Sequence, residues 1–431
     1  MDSGRWHTPA AHRPVRARLR LPGSKSITNR ALVLAALSYS AAVIRGPLKA
    51  RDTSLAVAAL QALGCSIRES GTDLAVSGGL QATGSVRVDV GNAGTVLRFL
   101  PAVAALTTAS AEFDGDPRAR ERPVGGLLVA LRALGADIDD GGRAALPFTV
   151  RGSGTVRGGN VTLDASGSSQ LVSGLLLAAP HFVLGAEVHH EGPPLPSLPH
   201  IEMTVRMLRA AGAEVEVGAG TRPSTWRVRS GPVNLGDFTV EPDLSNAGPF
   251  LAAALVTGGS VTVRDWPRDS LQAADAIRDV LTRMGADCSL GPDGLTVTGT
   301  GTIRGIAADL RDIPELCLPL TALAALASGP SVLTGVGHTR AQETDRLAAI
   351  AKEINALGGD VAEQPDGLTV RPRPLRAGGH AFDSYDDHRM VMAAAVLGLA
   401  VPGIEVLNAA TVGKTFPDFT ALWAELVRGD F

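Results

Sequence analysis

One five-residue pattern recurs along the chain at nearly constant spacing, and it limits the possible folds more than any other feature. Leu60–Gly64 reads LQALG, Leu131–Gly135 LRALG, Leu208–Gly212 LRAAG, Leu281–Gly285 LTRMG and Ile354–Gly358 INALG, and their starts lie 71, 77, 73 and 73 residues apart. Each copy closes a stretch with apolar residues at helical spacing. Its glycine stands where a helix ends on a left-handed residue. Alternating residues such as Cys65-Ser66-Ile67 or Ala136-Asp137-Ile138 follow, the signature of a half-buried strand. A sixth copy is expected at Phe419–Leu426, with the chain ending before its glycine and strand.

A second, more apolar and Ala-rich helix precedes each copy. These helices are predicted to begin near Ser24, Asn92, Ser168, Ser245, Pro314 and Asp387, at residues suited to a helix start. Between the two helices of a unit lie β-rich segments such as Ala42–Arg45 and Ser260–Val263. Six units of about 70 residues, each mixing two helices with several strands, specify an α/β protein of two pseudo-symmetric lobes with three units apiece. The boundary is expected at about residue 238. The segment before Pro22 precedes the first unit and is a candidate to pair back onto the second lobe.

The balance of 40 Lys+Arg against 43 Asp+Glu gives a formal charge of −3, which argues against general binding to nucleic acid or to an anionic membrane, so any anion site must be local. Cys65, Cys288 and Cys317 are odd in number and lack CxxC spacing, which points to neither a disulfide framework nor a zinc site. The Arg-rich first 20 residues lack an apolar core for a secretory signal, and runs such as Met390–Val401 are too short to span a bilayer. A cytoplasmic location is expected.

Charged and polar residues gather at the predicted helix starts. Lys25, Ser26 and Arg30 open the first apolar helix, where free N–H groups and the positive end of the helix dipole already favour an anion. Gly94 and Arg98 open the second, Gly94 giving a ligand access to the backbone. Arg122-Pro123 is read as another helix start with Pro at its favoured early position. Ser166-Gly167-Ser168-Ser169-Gln170 supplies hydroxyls and an amide suited to phosphate, and Ser197 and His200 lead into the helix that ends at Gly212. Further on, Glu315, then Gln342, Glu343 and Arg346, then Arg389, then Lys414 fall near helix starts. Asp345, Asp386 and Asp387 are read as helix caps and not as catalytic groups. Cations in phase with the repeat, within a chain of negative net charge, imply a small substrate carrying several negative charges, phosphate and carboxylate together.

The segments PGSKS…NR, NAGT…R, RP, SSQ, ETDR, DHRM and KTFPDF, in this order and spacing from about Pro22 to Leu426, resemble the 5-enolpyruvylshikimate-3-phosphate synthase family of enolpyruvyl transferases. The resemblance implies two lobes, each of three βαβαββ repeats forming an inside-out α/β barrel, with the active site in the cleft between them. The first lobe would be residues 22–237, mainly the shikimate 3-phosphate side. The second would be 1–21 plus 238–431, carrying the catalytic carboxylates and part of the phosphoenolpyruvate site. It further implies transfer of the enolpyruvyl group of phosphoenolpyruvate to the 5-hydroxyl of shikimate 3-phosphate by addition and elimination, with no cofactor or metal, by an enzyme expected to be a monomer.

On that resemblance Lys25, Ser26, Arg30, Ser168, Ser169, Gln170, Ser197, Glu315 and Gln342 would bind shikimate 3-phosphate, with Arg30 pairing its carboxylate. Lys25, Gly94, Arg122, Gln170, Arg346, Arg389 and Lys414 would surround phosphoenolpyruvate. Glu315, Glu343 and Lys25 would be catalytic, Glu315 as base for the hydroxyl and Glu343 as acid for C3. The chain departs from the common family pattern in having Gln342 in place of Lys, Glu315 in place of Asp and His200 in place of Tyr; a contact to the reacting hydroxyl would then fall to Gln342 as a hydrogen bond, or to His338. Other readings are a transferase acting on UDP-N-acetylglucosamine, a specialised-pathway paralogue and an inactive anion-binding scaffold. The first typically has a reactive cysteine before its Arg-Pro segment, and Asp114–Glu121 contains none.

Overall fold

The structure is a computed structural model and describes residues 4–429. The chain forms two compact units, one holding Gly23–Val240 and the other the residues before Gly23 and after Val240.

Among the described residues the strands form six small sheets. In five of them, two parallel strands are joined by two antiparallel ones. One such sheet pairs Thr83–Asp89 parallel to Thr108–Asp114, which is followed by Phe148–Arg151 and Asp137–Asp139. With its two helices, each of these five repeats reads βαβαββ, while the sixth sheet has three strands among the described residues. The repeat is not closed in chain order. The leading strand of the first sheet is Asp237–Thr239, paired parallel to Ala42–Arg45. Arg16–Leu19 leads the sheet of Ser260–Arg264, and Arg5–His7 pairs antiparallel with Glu405–Leu407 in the last one.

The apolar helices form the centre of each unit. Lys25–Leu37, Gly94–Ala104 and Gln170–Ala178 pack on one another in one. Leu244–Thr257, Cys317–Ala325 and His388–Gly398 do so in the other. Every residue of Gly94–Ala104 and of His388–Gly398 is buried, so these helices are enclosed on all sides and mostly apolar. With only 4% aromatics, their interiors are filled by Ala, Leu and Val, as in Ala252-Ala253-Ala254 and Ala393-Ala394-Ala395. Phe250, Phe416, Phe419 and Trp423 are an exception, packing as a buried aromatic group in which Phe419 stacks on Trp423 and the other rings meet tilted or edge-on. The helices that end in the repeated pattern bury one stripe only; Ala274–Arg283 buries Ala274, Ile277, Val280 and Leu281.

All five repeat glycines are left-handed, at φ 96, 102, 94, 103 and 92° for Gly64, Gly135, Gly212, Gly285 and Gly358. The sixth copy departs from the sequence reading: the helix Phe419–Arg428 does end on a left-handed glycine, Gly429 at φ 81°. Gly64 and Gly212 separate two requirements. A Cβ on Gly212 would meet nothing within 4 Å, whereas one on Gly64 would lie 2.5 Å from the backbone nitrogens of Gln81 and Ala82. Gly212→Ala should cost about 1–2 kcal/mol, the left-handed backbone alone. Gly64→Ala should cost about 1–3 kcal/mol more through overpacking. Urea unfolding followed by circular dichroism measures both, and equal losses would contradict this account.

Candidate active site

In the unit Gly23–Val240, the start of Gly94–Ala104 gathers two guanidiniums. Arg122 precedes Pro123 and is held extended for that reason, with φ −75° and ψ 138°. The following helix begins only at Gly125, so Pro123 lies outside it and not at its first position. From there Arg122 Nη1 donates to the carbonyl and side-chain oxygens of Asn92, at 2.8 and 3.1 Å. Arg98 reaches back from within the helix, donating to Gln170 Oε1 at 3.0 Å and to the Pro123 carbonyl at 3.1 Å. Gly94 makes this meeting possible: a Cβ there would lie 2.6 Å from Arg122 Nη2 and 3.0 Å from Arg98 Nη1. Helix N–H groups and two fixed guanidiniums form an anion cradle, and Arg122 Nε is buried with no hydrogen-bond partner.

Lys25 and Ser26 begin the helix Lys25–Leu37, capped by Ser24, whose hydroxyl accepts from the Ile27 N–H. Lys25 Nζ lies 3.3 Å from the buried Asp52 carboxylate. Arg30 is 1% exposed. It donates to Thr204 Oγ1 at 2.7 Å, Ser173 Oγ at 3.2 Å and the carbonyls of Ser26 and His200 at 3.0 and 2.9 Å. It thereby ties together the helices that begin at Lys25, Gln170 and Leu198. Ser169 is buried and Ser168 half-buried ahead of Gln170, while Ser197 precedes Leu198–Ala210 at φ 51°.

In the other unit the charged residues meet directly. Asp387 caps His388–Gly398 by accepting from the Arg389 N–H at 2.9 Å. The same carboxylate accepts from Arg346 Nε at 2.7 Å and Nη2 at 3.2 Å. Arg346 Nη2 also donates to Glu343 Oε2 at 3.0 Å, and its Nη1 donates to Gln342 Oε1. Lys414 Nζ lies 2.9 Å from the other oxygen of Glu343. Arg389 Nη1 donates to the carbonyl of half-buried Glu315 at 2.8 Å. Glu343, Arg346, Asp387, Arg389 and Lys414 are all buried. Burial works against the charge on Arg346, yet Asp387, Glu343 and Glu315 outweigh it and its pKa is raised. Arg389 lies lower than usual, through burial and then through Arg346. An anion bound beside this pair would offset the repulsion between them.

Lys414 ends the short 3-10 segment Ala409–Lys414 and does not open a helix; Pro417 disfavours helical backbone in the residue before it, and the last helix starts at Phe419. Asp345 caps Arg346–Ala356 by accepting from the Ala348 N–H. Asp387 is more than the cap read from the sequence, because its carboxylate also anchors Arg346. Asp52, Ser173 and Thr204 went unnoticed in the sequence, and Asn92 reads there only as a helix start; of the first three only Asp52, an acid in a first helical turn, carried a local signal. Among the described residues no helix is long and apolar enough to cross a membrane, and no cluster of three or more His, Cys, Asp or Glu is placed to hold a metal ion.

These arrangements sit in a chain whose relatives are clear. The profile of the EPSP synthase (3-phosphoshikimate 1-carboxyvinyltransferase) family matches residues 9–423, and the chain belongs to that family. It is 50% identical, over 436 aligned residues spanning 99% of this chain and 97% of the relative, to the 3-phosphoshikimate 1-carboxyvinyltransferase of Kocuria rhizophila. Two solved EPSP synthase structures from Acinetobacter baumannii superimpose with TM-scores of 0.81 and 0.79, at 25% and 24% identity, each with 98% coverage of both chains.

His338, on the 3-10 segment Gly337–Ala341, has Nε2 buried with no hydrogen-bond partner. Burial lowers its pKa from 6.5 to about 4, with Glu315 pulling upward and Arg346 downward. The unfolded chain therefore takes up a proton near pH 6.5 that the folded one refuses until about pH 4. Stability present above pH 6.5 is lost as the pH falls across that window. The wild type should lose about 2 kcal/mol more than His338→Gln between pH 6.5 and 4, read from urea midpoints. Parallel curves would contradict it.

Proposed function

We propose that the chain transfers the enolpyruvyl group of phosphoenolpyruvate to the 5-hydroxyl of shikimate 3-phosphate, releasing phosphate, as a cytoplasmic monomer of the shikimate pathway that requires no cofactor. The observation that carries this reading is the buried pair Arg346 and Lys414 on the Glu343 carboxylate, with buried Arg389 near enough to Arg346 to feel its charge, in a chain of this family.

Phosphoenolpyruvate carries a phosphate and a carboxylate. Arg346, Arg389 and Lys414 would serve it, and so would Lys25, Gly94, Arg122 and Gln170. Its oxyanions compete with Glu343 for Arg346 and Lys414, and Glu343 so released is able to carry a proton. Shikimate 3-phosphate would take Ser168, Ser169 and Ser197 on its phosphate, and Lys25, Ser26, Arg30 and Gln170 around its ring and carboxylate, with Glu315 and Gln342 near the reacting hydroxyl. Arg30 has to turn a donor from its present partners toward that carboxylate. On this division the first lobe, residues 22–237, mainly holds shikimate 3-phosphate, and the second, 1–21 plus 238–431, brings the carboxylates.

In the addition, the 5-hydroxyl oxygen bonds to C2 of phosphoenolpyruvate, its proton passes to Glu315, and C3 takes a proton from Glu343. In the elimination, C3 returns a proton to Glu343 and the C2–O bond to phosphate breaks, the leaving group taking its proton from Glu315. Lys25 steadies charge beside the reacting groups. Gln342 has no charge and acts as a hydrogen-bonding amide.

Phosphate release from phosphoenolpyruvate plus shikimate 3-phosphate tests the reading. The wild type should release phosphate only with both substrates present, and Glu343→Gln should lower kcat by about 100-fold or more with both KM values within about threefold. Absence of release by folded wild type would overturn the assignment. Full turnover by Glu343→Gln would remove the acid role.

A further inference from the structure

Glu353 lies two turns along the helix Arg346–Ala356, is 1% exposed and does not belong to the substrate-facing set. A buried carboxylate is tolerated only when its lone pairs are satisfied. Glu353 accepts from the Tyr385 hydroxyl at 2.6 Å and the Asp383 N–H at 3.2 Å, and lies 2.7 Å from His380 Nε2. Asp383 and Tyr385 belong to the corner between the strand Ala381–Asp383 and the helix His388–Gly398, and His380 immediately precedes that strand.

That corner is strained. Tyr385 and Asp386 are consecutive non-glycine residues at φ 50 and 55°. L residues keep such backbone only where their surroundings hold it. Tyr385 is held at its hydroxyl by Glu353 and at its N–H by Asp383 Oδ1, 2.8 Å away, with Lys352 Nζ 5.4 Å from the ring centre. Asp386 is held through its side chain by Asn408 Nδ2 and through its carbonyl by Thr411 Oγ1 at 2.9 Å. Burial first, and then the Glu353 carboxylate, push the phenol pKa up, so the hydroxyl remains a donor.

The next residue after the corner is Asp387, the anchor of Arg346. The segment tied to Asp386 is Ala409–Lys414, which ends on the partner of Glu343. The contacts thus leave the helix Arg346–Ala356 at Glu353 and return to its first residue.

We propose that Tyr385 is a positioning residue for enolpyruvyl transfer: with its hydroxyl held by buried Glu353, it keeps the left-handed Tyr385–Asp386 corner in place and so sets Arg346 and Lys414 on Glu343. The inference rests on the transfer reading above. Tyr385 acts through Asp387 and Lys414, not on substrate. Its loss should therefore fall on phosphoenolpyruvate and on turnover, and spare shikimate 3-phosphate.

Wild type, Tyr385→Phe and Glu353→Gln are compared by steady-state phosphate release with each substrate varied in turn, and their thermal unfolding is recorded alongside. For Tyr385→Phe we expect the KM for phosphoenolpyruvate to rise by about tenfold and kcat to fall, with the KM for shikimate 3-phosphate within twofold. Glu353→Gln keeps the side-chain volume and should show the same split, and it decides the matter if Tyr385→Phe does not fold. Unchanged constants in a folded variant, or equal rises in both KM values, overturn the proposal. No phosphate release by the wild type would instead overturn the transfer reading itself.

Discussion

A guanidinium at 2% exposure has to bring its counter-charges with it, and Arg346 sets the terms for the charged cluster around it. An unpaired buried charge is so costly that removing one partner of a buried pair commonly destabilises a protein by about 3–5 kcal/mol. Asp387 and Glu343 therefore have to be in place before any ligand arrives. Asp387 can be there because it caps a fully buried helix, and Glu343 because it lies three residues before Arg346 and accepts from Lys414 on its far oxygen. The cluster can exchange internal anions for substrate anions without first being assembled.

The same economy operates around Gly94. Arg122 and Arg98 donate to neutral acceptors, Asn92, Gln170 and the Pro123 carbonyl, which orient both guanidiniums at one helix start. The repeat explains why such sites multiply. Every copy delivers a new helix start, with unsatisfied N–H groups and a nearby residue able to project a side chain over it.

What was legible in the sequence followed local rules. The five repeat glycines stand out because a left-handed helix end all but requires glycine, and the apolar helices stand out because burial on all sides leaves few polar positions. What was hidden depends on partners distant in sequence. Nothing within Asp237–Thr239 says that it leads the first sheet, nor within Arg5–His7 that it pairs beside Glu405–Leu407, since three-residue strands specify little about their neighbours. Arg30 stands at a helix start, where the sequence points to an anion-binding cation, yet Thr204 and Ser173 draw it inward. Asp387 matched the cap pattern and was one, but its bond to Arg346 joins residues 41 apart. The left-handed backbone of the Tyr385–Asp386 corner carried no signal because neither residue is glycine, and Asp386, read as a helix cap, instead accepts from Asn408 while Asp387 is the cap.

The central claim is that Glu343, held between Arg346 and Lys414, delivers and recovers a proton at C3 of phosphoenolpyruvate. Turnover in deuterated water, with mass analysis of product and of recovered phosphoenolpyruvate, tests it most directly. A methyl group formed in the addition step mixes solvent deuterium with the original hydrogens before elimination. The account predicts deuterium in the methylene of the product and in recovered phosphoenolpyruvate. Full turnover with no deuterium in either molecule would contradict it.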